Sequence, residues 1–93
     1  MNIGIVMMIP HGTQAQYNKV MELLGLTADT GDWPEGIISH TAGPSGSDWV
    51  VVDIWESKAA FDKFFQEQLG KAVAEAGLPT FEPKIFDVYL SHR

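Results

Sequence analysis

Residues 48–65, DWVVVDIWESKAAFDKFF, pass from a strand pattern into a helix pattern with no linker between them, and the rest of the chain is read outward from there. Asp48 to Trp55 is apolar at both parities, with Trp49, Val51 and Trp55 on one side and Val50, Val52 and Ile54 on the other. That pattern marks a strand covered on both faces. Its one interior carboxylate is Asp53, two residues before a tryptophan. Ser57 is placed to cap a helix, along which Phe61, Phe64, Phe65 and Leu69 form an apolar stripe. After Gly70 a second short helical piece reaches Ala76, before Gly77 and Pro79.

Upstream, Asn2 to Ile9 is again apolar at both parities and reads as a central strand ended by Pro10 and Gly12. Thr13 and Gln16 make a capping-box pattern, followed by Tyr17, Val20, Met21 and Leu24 at helical spacing and by Gly25 as the stop. The run LTADTGDWPE, residues 26–35, is turn-forming and acidic, a surface loop that contains Trp33. GIISHTA, 36–42, reads as the second strand and GPSGS, 43–47, as a hairpin connection; KIFDVYL, 84–90, is the last strand.

The order β-α-β-β-α-β predicts one α+β domain over 1–93 with a ferredoxin-like fold, a four-stranded antiparallel sheet with its helices on one face. Two helices cover only one side of such a sheet. The apolar second side of the first and third strands therefore predicts a homodimer packed sheet against sheet, a dimeric α/β barrel.

Composition narrows the partners. The 93 residues are 45% hydrophobic and carry a net charge of −6, which disfavours nucleic acid and anionic membrane surfaces. The apolar opening is too short to span a bilayer and lacks a basic leader. With no cysteine there is no disulfide, thiolate nucleophile or zinc-thiolate site, which suits a cytoplasmic location. The histidines at 11, 40 and 92 show no metal-ligand spacing, so no metal and no cofactor is expected.

Strand alternation then sorts the candidate site residues. If Val50, Val52 and Ile54 face the helices, Trp49, Val51, Asp53 and Trp55 face the barrel interior. The same reading of the last strand puts Phe86, Val88 and Leu90 on the helix side and Ile85, Asp87 and Tyr89 inside. The resulting cavity is apolar and aromatic with a few polar groups, as a small-molecule pocket should be. Burial disfavours the charged form of a carboxylate, which would suit Asp53 as a general base, with His40 as a proton shuttle. Trp49, Trp55, Asp87 and Tyr89 would hold the ligand. Structural roles are the alternative: Asp53 hydrogen-bonded at a strand end, Trp55 packed at the strand–helix corner, His40 bonding across the hairpin. Alternation does not assign a face to His40.

The run WVVVDIWESKAAFDKFFQEQLGKAVAEAGLP, 49–79, with its Trp-Glu-Ser strand end and Phe-rich helix, resembles the dimeric α/β-barrel superfamily and, within it, the antibiotic-biosynthesis-monooxygenase-like proteins. The resemblance implies a fold and a cavity more than a reaction, because that superfamily spans cofactor-independent oxygenases, haem-degrading enzymes and proteins without known activity. The haem-degrading branch uses a tryptophan and a histidine at positions that correspond here to Phe64 and Ala74, so that chemistry is disfavoured, although Asn2 sits where the branch has an asparagine. The aromatic-oxidising branch uses an asparagine, a tryptophan and a tyrosine, of which Trp55 and Tyr89 match the last two in kind. Two functions follow as expectations: cofactor-independent oxidation or proton transfer on a small aromatic or apolar substrate, or a non-catalytic dimeric binding or assembly module.

Overall fold

The structure, a computed structural model, describes residues 2–27, 29–79 and 81–92; Ala28, within the expected loop, lies outside them. β1 (Ile3–Ile9), α1 (Gln14–Leu24), β2 (Ile37–Ser45), β3 (Asp48–Trp55), α2 (Lys58–Phe64), α3 (Gly70–Glu75) and β4 (Lys84–Asp87) follow in that order. The four strands form an antiparallel sheet ordered β2-β3-β1-β4, with the helices on one face. This is the expected ferredoxin-like α+β arrangement.

Local chemistry sets the helix ends as the sequence predicts. The Thr13 hydroxyl accepts from the Gln16 N–H and the Gln16 side chain accepts from the Thr13 N–H, closing the capping box. Gly25 ends α1 at φ 72°, a left-handed conformation that costs glycine nothing. Ser57 caps α2 by accepting from the Ala60 N–H. Gly70 does not break the helix. One wider π turn, Phe65–Leu69, joins α2 to α3, with the Gly70 N–H donating to the Phe65 carbonyl.

The hairpin is tighter than expected. β2 runs on through Gly43, Pro44 and Ser45, so only Gly46 and Ser47 connect it to β3, with Gly46 at φ 60°. Pairing then steps back from Ser45 opposite Asp48 to His40 opposite Asp53. The last strand is shorter than expected and stops at Asp87.

The two faces of the sheet are reversed relative to the expectation. Ile3, Ile5, Met7 and Ile9 of β1 and Trp49, Val51, Asp53 and Trp55 of β3 lie buried beneath the helices. Val50, Val52 and Ile54 point the other way. The set grouped by alternation does share one face, and Ile85 and Asp87 pair with Ile5 and Ile3 on it, but that face is the covered one. Side-chain volume explains the choice: two tryptophans bury far more area against a helical layer than two valines and an isoleucine do. Trp55 is completely buried, with its ring 5.6 Å from both Phe61 and Phe64. On the open face Phe86 folds over Gly4, where a Cβ would overlap its ring. Met8, Val52 and Phe86 are 46%, 36% and 47% exposed there.

Candidate active site

The register of the hairpin builds the site. His40 and Asp53 stand opposite each other on β2 and β3, and side chains so placed on one face meet. His40 Nδ1 lies 2.6 Å from Asp53 Oδ1. Trp55, two residues along β3 and on the same face, donates its indole N–H to Asp53 Oδ2 at 3.2 Å. Both carboxylate oxygens are thus engaged, which is how a side chain only 3% exposed is accommodated. A carboxylate only accepts, so with Asp53 ionised and His40 neutral the proton between the two residues sits on His40 Nδ1, and Nε2 presents its lone pair. That lone pair lies 2.6 Å from the Tyr17 hydroxyl, which donates to it from α1. The result is a continuous chain, Trp55 to Asp53 to His40 to Tyr17, from the core to the helix layer.

The chain ends on a cavity of about 50 Å³ between the sheet and the helices. At roughly 10–15 Å³ per water, this is room for about four waters. Its walls are apolar, from Met7, Ile9, Val20, Val51, Leu69 and Phe81 among others, and Tyr17, His40, Asp53 and Trp49 also line it. Tyr17, His40 and Trp33 border a wider outer cleft as well, so they form the partition between cavity and exterior. Trp33 is fixed there by donating its indole N–H to the Thr27 carbonyl at 3.1 Å, with its ring 5.2 Å from His40. Its place in an otherwise polar loop has this reason.

The expected site residues separate into two groups. Asp53, His40 and Trp49 converge on the cavity, although it lies under the helices and not within a barrel between sheets. Trp55 stands behind it as the partner of Asp53. Asp87 is exposed on the edge strand, and Tyr89, beyond the end of β4, is fully exposed. Neither reaches the cavity, because the chain leaves the sheet after Asp87. Tyr17 was legible only as one member of the apolar stripe of α1. Its hydroxyl, the one polar atom on that stripe, was the available signal. Among the described residues no group of three or more His, Cys, Asp or Glu is placed to hold a metal ion, and no helix is long and apolar enough to cross a membrane.

Burial, and secondarily the negative charge of Asp53, raise the Tyr17 pKa above its ordinary value of 10.0. The folded protein therefore holds this proton more tightly than the unfolded chain. Below about pH 10 both states keep it and stability is unaffected; above that the unfolded chain loses it first, and stability falls until the folded phenol ionises too. Tyr17→Phe should remove this part of the alkaline loss, seen as a shallower decline of melting temperature with pH beyond 10 than in the wild type.

Fold comparison places this geometry in a known architecture. Matching solved structures include a protein of Mycobacterium tuberculosis (TM-score 0.75, 13% identity, 100% of each chain covered). A second is the cofactor-independent oxygenase SnoaB of Streptomyces nogalater (TM-score 0.63, 18% identity, covering 97% of this chain and 94% of that one). A third, from Chloroflexus aurantiacus, is described as a candidate antibiotic biosynthesis monooxygenase (TM-score 0.69, 13% identity, covering 100% and 98%). The chain therefore has the ferredoxin-like fold of the antibiotic-biosynthesis-monooxygenase-like proteins. At these identities the likeness is one of fold. No protein-family profile and no curated protein matches the sequence.

Proposed function

We propose that the protein removes a proton from a small apolar substrate held where the cavity meets the outer cleft, at Tyr17, His40 and Trp33, and that His40 is the base. The observation that carries this reading is the hydrogen-bonded chain Asp53–His40–Tyr17 ending on an apolar cavity. The substrate's proton passes to the Tyr17 oxygen as the Tyr17 proton moves to His40 Nε2. The imidazolium formed is stabilised by Asp53, which does not itself need to accept a proton. Asp53 is thereby a positioning residue, not the base expected from burial alone.

A substrate carbanion generated this way can react with dioxygen. Conversion of a CH2 group and O2 to a carbonyl and water balances in atoms and electrons, because the substrate supplies the electrons. This finer reading, cofactor-independent oxygenation, draws on the fold shared with SnoaB. The proton-transfer step is tested directly by deuterium incorporation into cyclohex-2-enone in D2O. The wild type should exceed the buffer rate, and His40→Gln should return to it. Exchange unaffected by His40→Gln would assign the cavity to ligand binding without catalysis.

We further propose that a second copy of the chain covers the open sheet face, giving a homodimer. Exposed Met8, Val52 and Phe86 form an apolar surface on that side. Sedimentation should give twice the 10.3 kDa of the single chain, and Val52→Lys, which buries charge in the contact, should give the monomer. A monomeric wild type would contradict the pairing.

A further inference from the structure

The outer cleft that meets the cavity at Tyr17, His40 and Trp33 has a volume of about 900 Å³, within the roughly 300–1,000 Å³ of small-molecule sites. Its walls come from α1, the 26–35 loop and β2, which is an edge strand of the sheet. Helical spacing sorts the α1 wall. Tyr17 and Met21 stand one turn apart, as do Asn18 and Glu22, so an apolar row and a polar row lie side by side on the cleft. At the inner end the rings of Tyr17 and Trp33 lie 6.1 Å and 5.2 Å from that of His40, an aromatic seat for an apolar ring.

Fixed charge on the cleft has one sign. Glu22 is the only carboxylate among its lining residues, and no lysine or arginine lines it among the described residues. Glu22 is exposed and makes no ion pair among the described residues. The loop that supplies Leu26, Thr27 and Trp33 adds Asp29, Asp32 and Glu35 and no base, on a chain of net charge −6. A concave surface of one sign concentrates ligands of the opposite charge and turns away those of its own.

We propose that the outer cleft binds a small arylalkylamine in its protonated form, the ring against Tyr17, Trp33 and His40 and the ammonium on the Glu22 carboxylate. Tyr17 and Glu22 are about 7–8 Å apart along the axis of α1, at ~1.5 Å per residue. A ring with a two-carbon chain spans that interval with room for the ammonium–carboxylate hydrogen bond. As a ligand class this stands on the cleft alone; as a substrate class it rests on the proton-removal reading and gives that substrate a cationic arm.

The experiment titrates the ¹⁵N-labelled protein, at neutral pH and low salt, with 2-phenylethylamine, 2-phenylethanol and 3-phenylpropanoate, which share a shape and differ in charge. Backbone signals of Asn18, Glu22 and Trp33 should shift. The amine should bind about 3–5-fold more tightly than the alcohol, the carboxylate most weakly, and the amine's advantage should shrink as salt rises. Glu22→Gln should bring the amine to the alcohol's affinity. Glu75→Gln, which removes the same charge on α3 away from the cleft, should keep the advantage. Equal binding of all three, an advantage that survives Glu22→Gln or is lost equally in Glu75→Gln, or no shift of these signals up to the amine's solubility limit each overturns the proposal. The two readings fail separately. An amine advantage carried by Glu22 without accelerated exchange of cyclohex-2-enone upholds the ligand class and removes the proton chain's role. Accelerated exchange without an amine advantage does the reverse.

Discussion

Asp53→Asn should leave a folded protein that exchanges the ketone C–H about 10²–10⁴-fold more slowly. The size of the effect comes from the direction of two hydrogen bonds. Trp55 can only donate, so it holds the oxygen of the new amide, and the amide NH2 is turned toward His40 Nδ1. Nδ1 must then accept, which moves the imidazole proton to Nε2. His40 would donate to the Tyr17 oxygen instead of accepting from it, and no base would remain at the cavity. The change in shape is negligible, so circular dichroism and the quaternary state should be those of the wild type. If exchange persists at the wild-type rate, Asp53 is a structural partner of Trp55 and nothing more.

The largest stability effect is expected at Trp55. Its side chain is completely buried, packs on Phe61 and Phe64, and supplies one of the two hydrogen bonds to the buried carboxylate. Removing a buried tryptophan to alanine costs about 3–5 kcal/mol. A hydrogen bond to a charged group accounts for about 1.5–3 kcal/mol more. Set against the roughly 5–15 kcal/mol that holds a domain together, Trp55→Ala should remove a large share of the stability and lower the melting temperature by about 20 °C or more. Trp55→Phe separates the two contributions by keeping most of the packing and removing the donor. At about 4–8 °C per kcal/mol for a domain of this size, it should lower the melting temperature by roughly 6–24 °C. A loss of only a degree or two would mean that Asp53 finds another donor.

Why the sequence yields the element order and not the orientation is visible in β3. Both parities of DWVVVDIW are apolar, so period-two alternation groups Trp49, Val51, Asp53 and Trp55 correctly but leaves the covered side open. Volume, not polarity, is what decides it. His40 has a related history. Reading GPSGS as a five-residue connection conceals the register, whereas the actual two-residue turn at Gly46–Ser47 fixes His40 opposite Asp53. Once that turn is known, the pair is readable from residue numbers alone. Tyr17 is different, because no local pattern relates a position on α1 to one on β2. Only the packing of helix on sheet brings its hydroxyl to His40. The partners of Asp87 and Tyr89 likewise depend on where β4 ends, which the apolar run to Leu90 does not signal.

The measurement that bears most directly on the account is the tautomer of His40, read from imidazole ¹⁵N shifts under mildly alkaline conditions, with His40→Gln used to assign its signals. The proton should be on Nδ1, facing Asp53, with Nε2 unprotonated and accepting from Tyr17, and Asp53→Asn should exchange the two. A wild-type His40 that carries its proton on Nε2 would have no lone pair to offer at the cavity, and the proposed base would be lost.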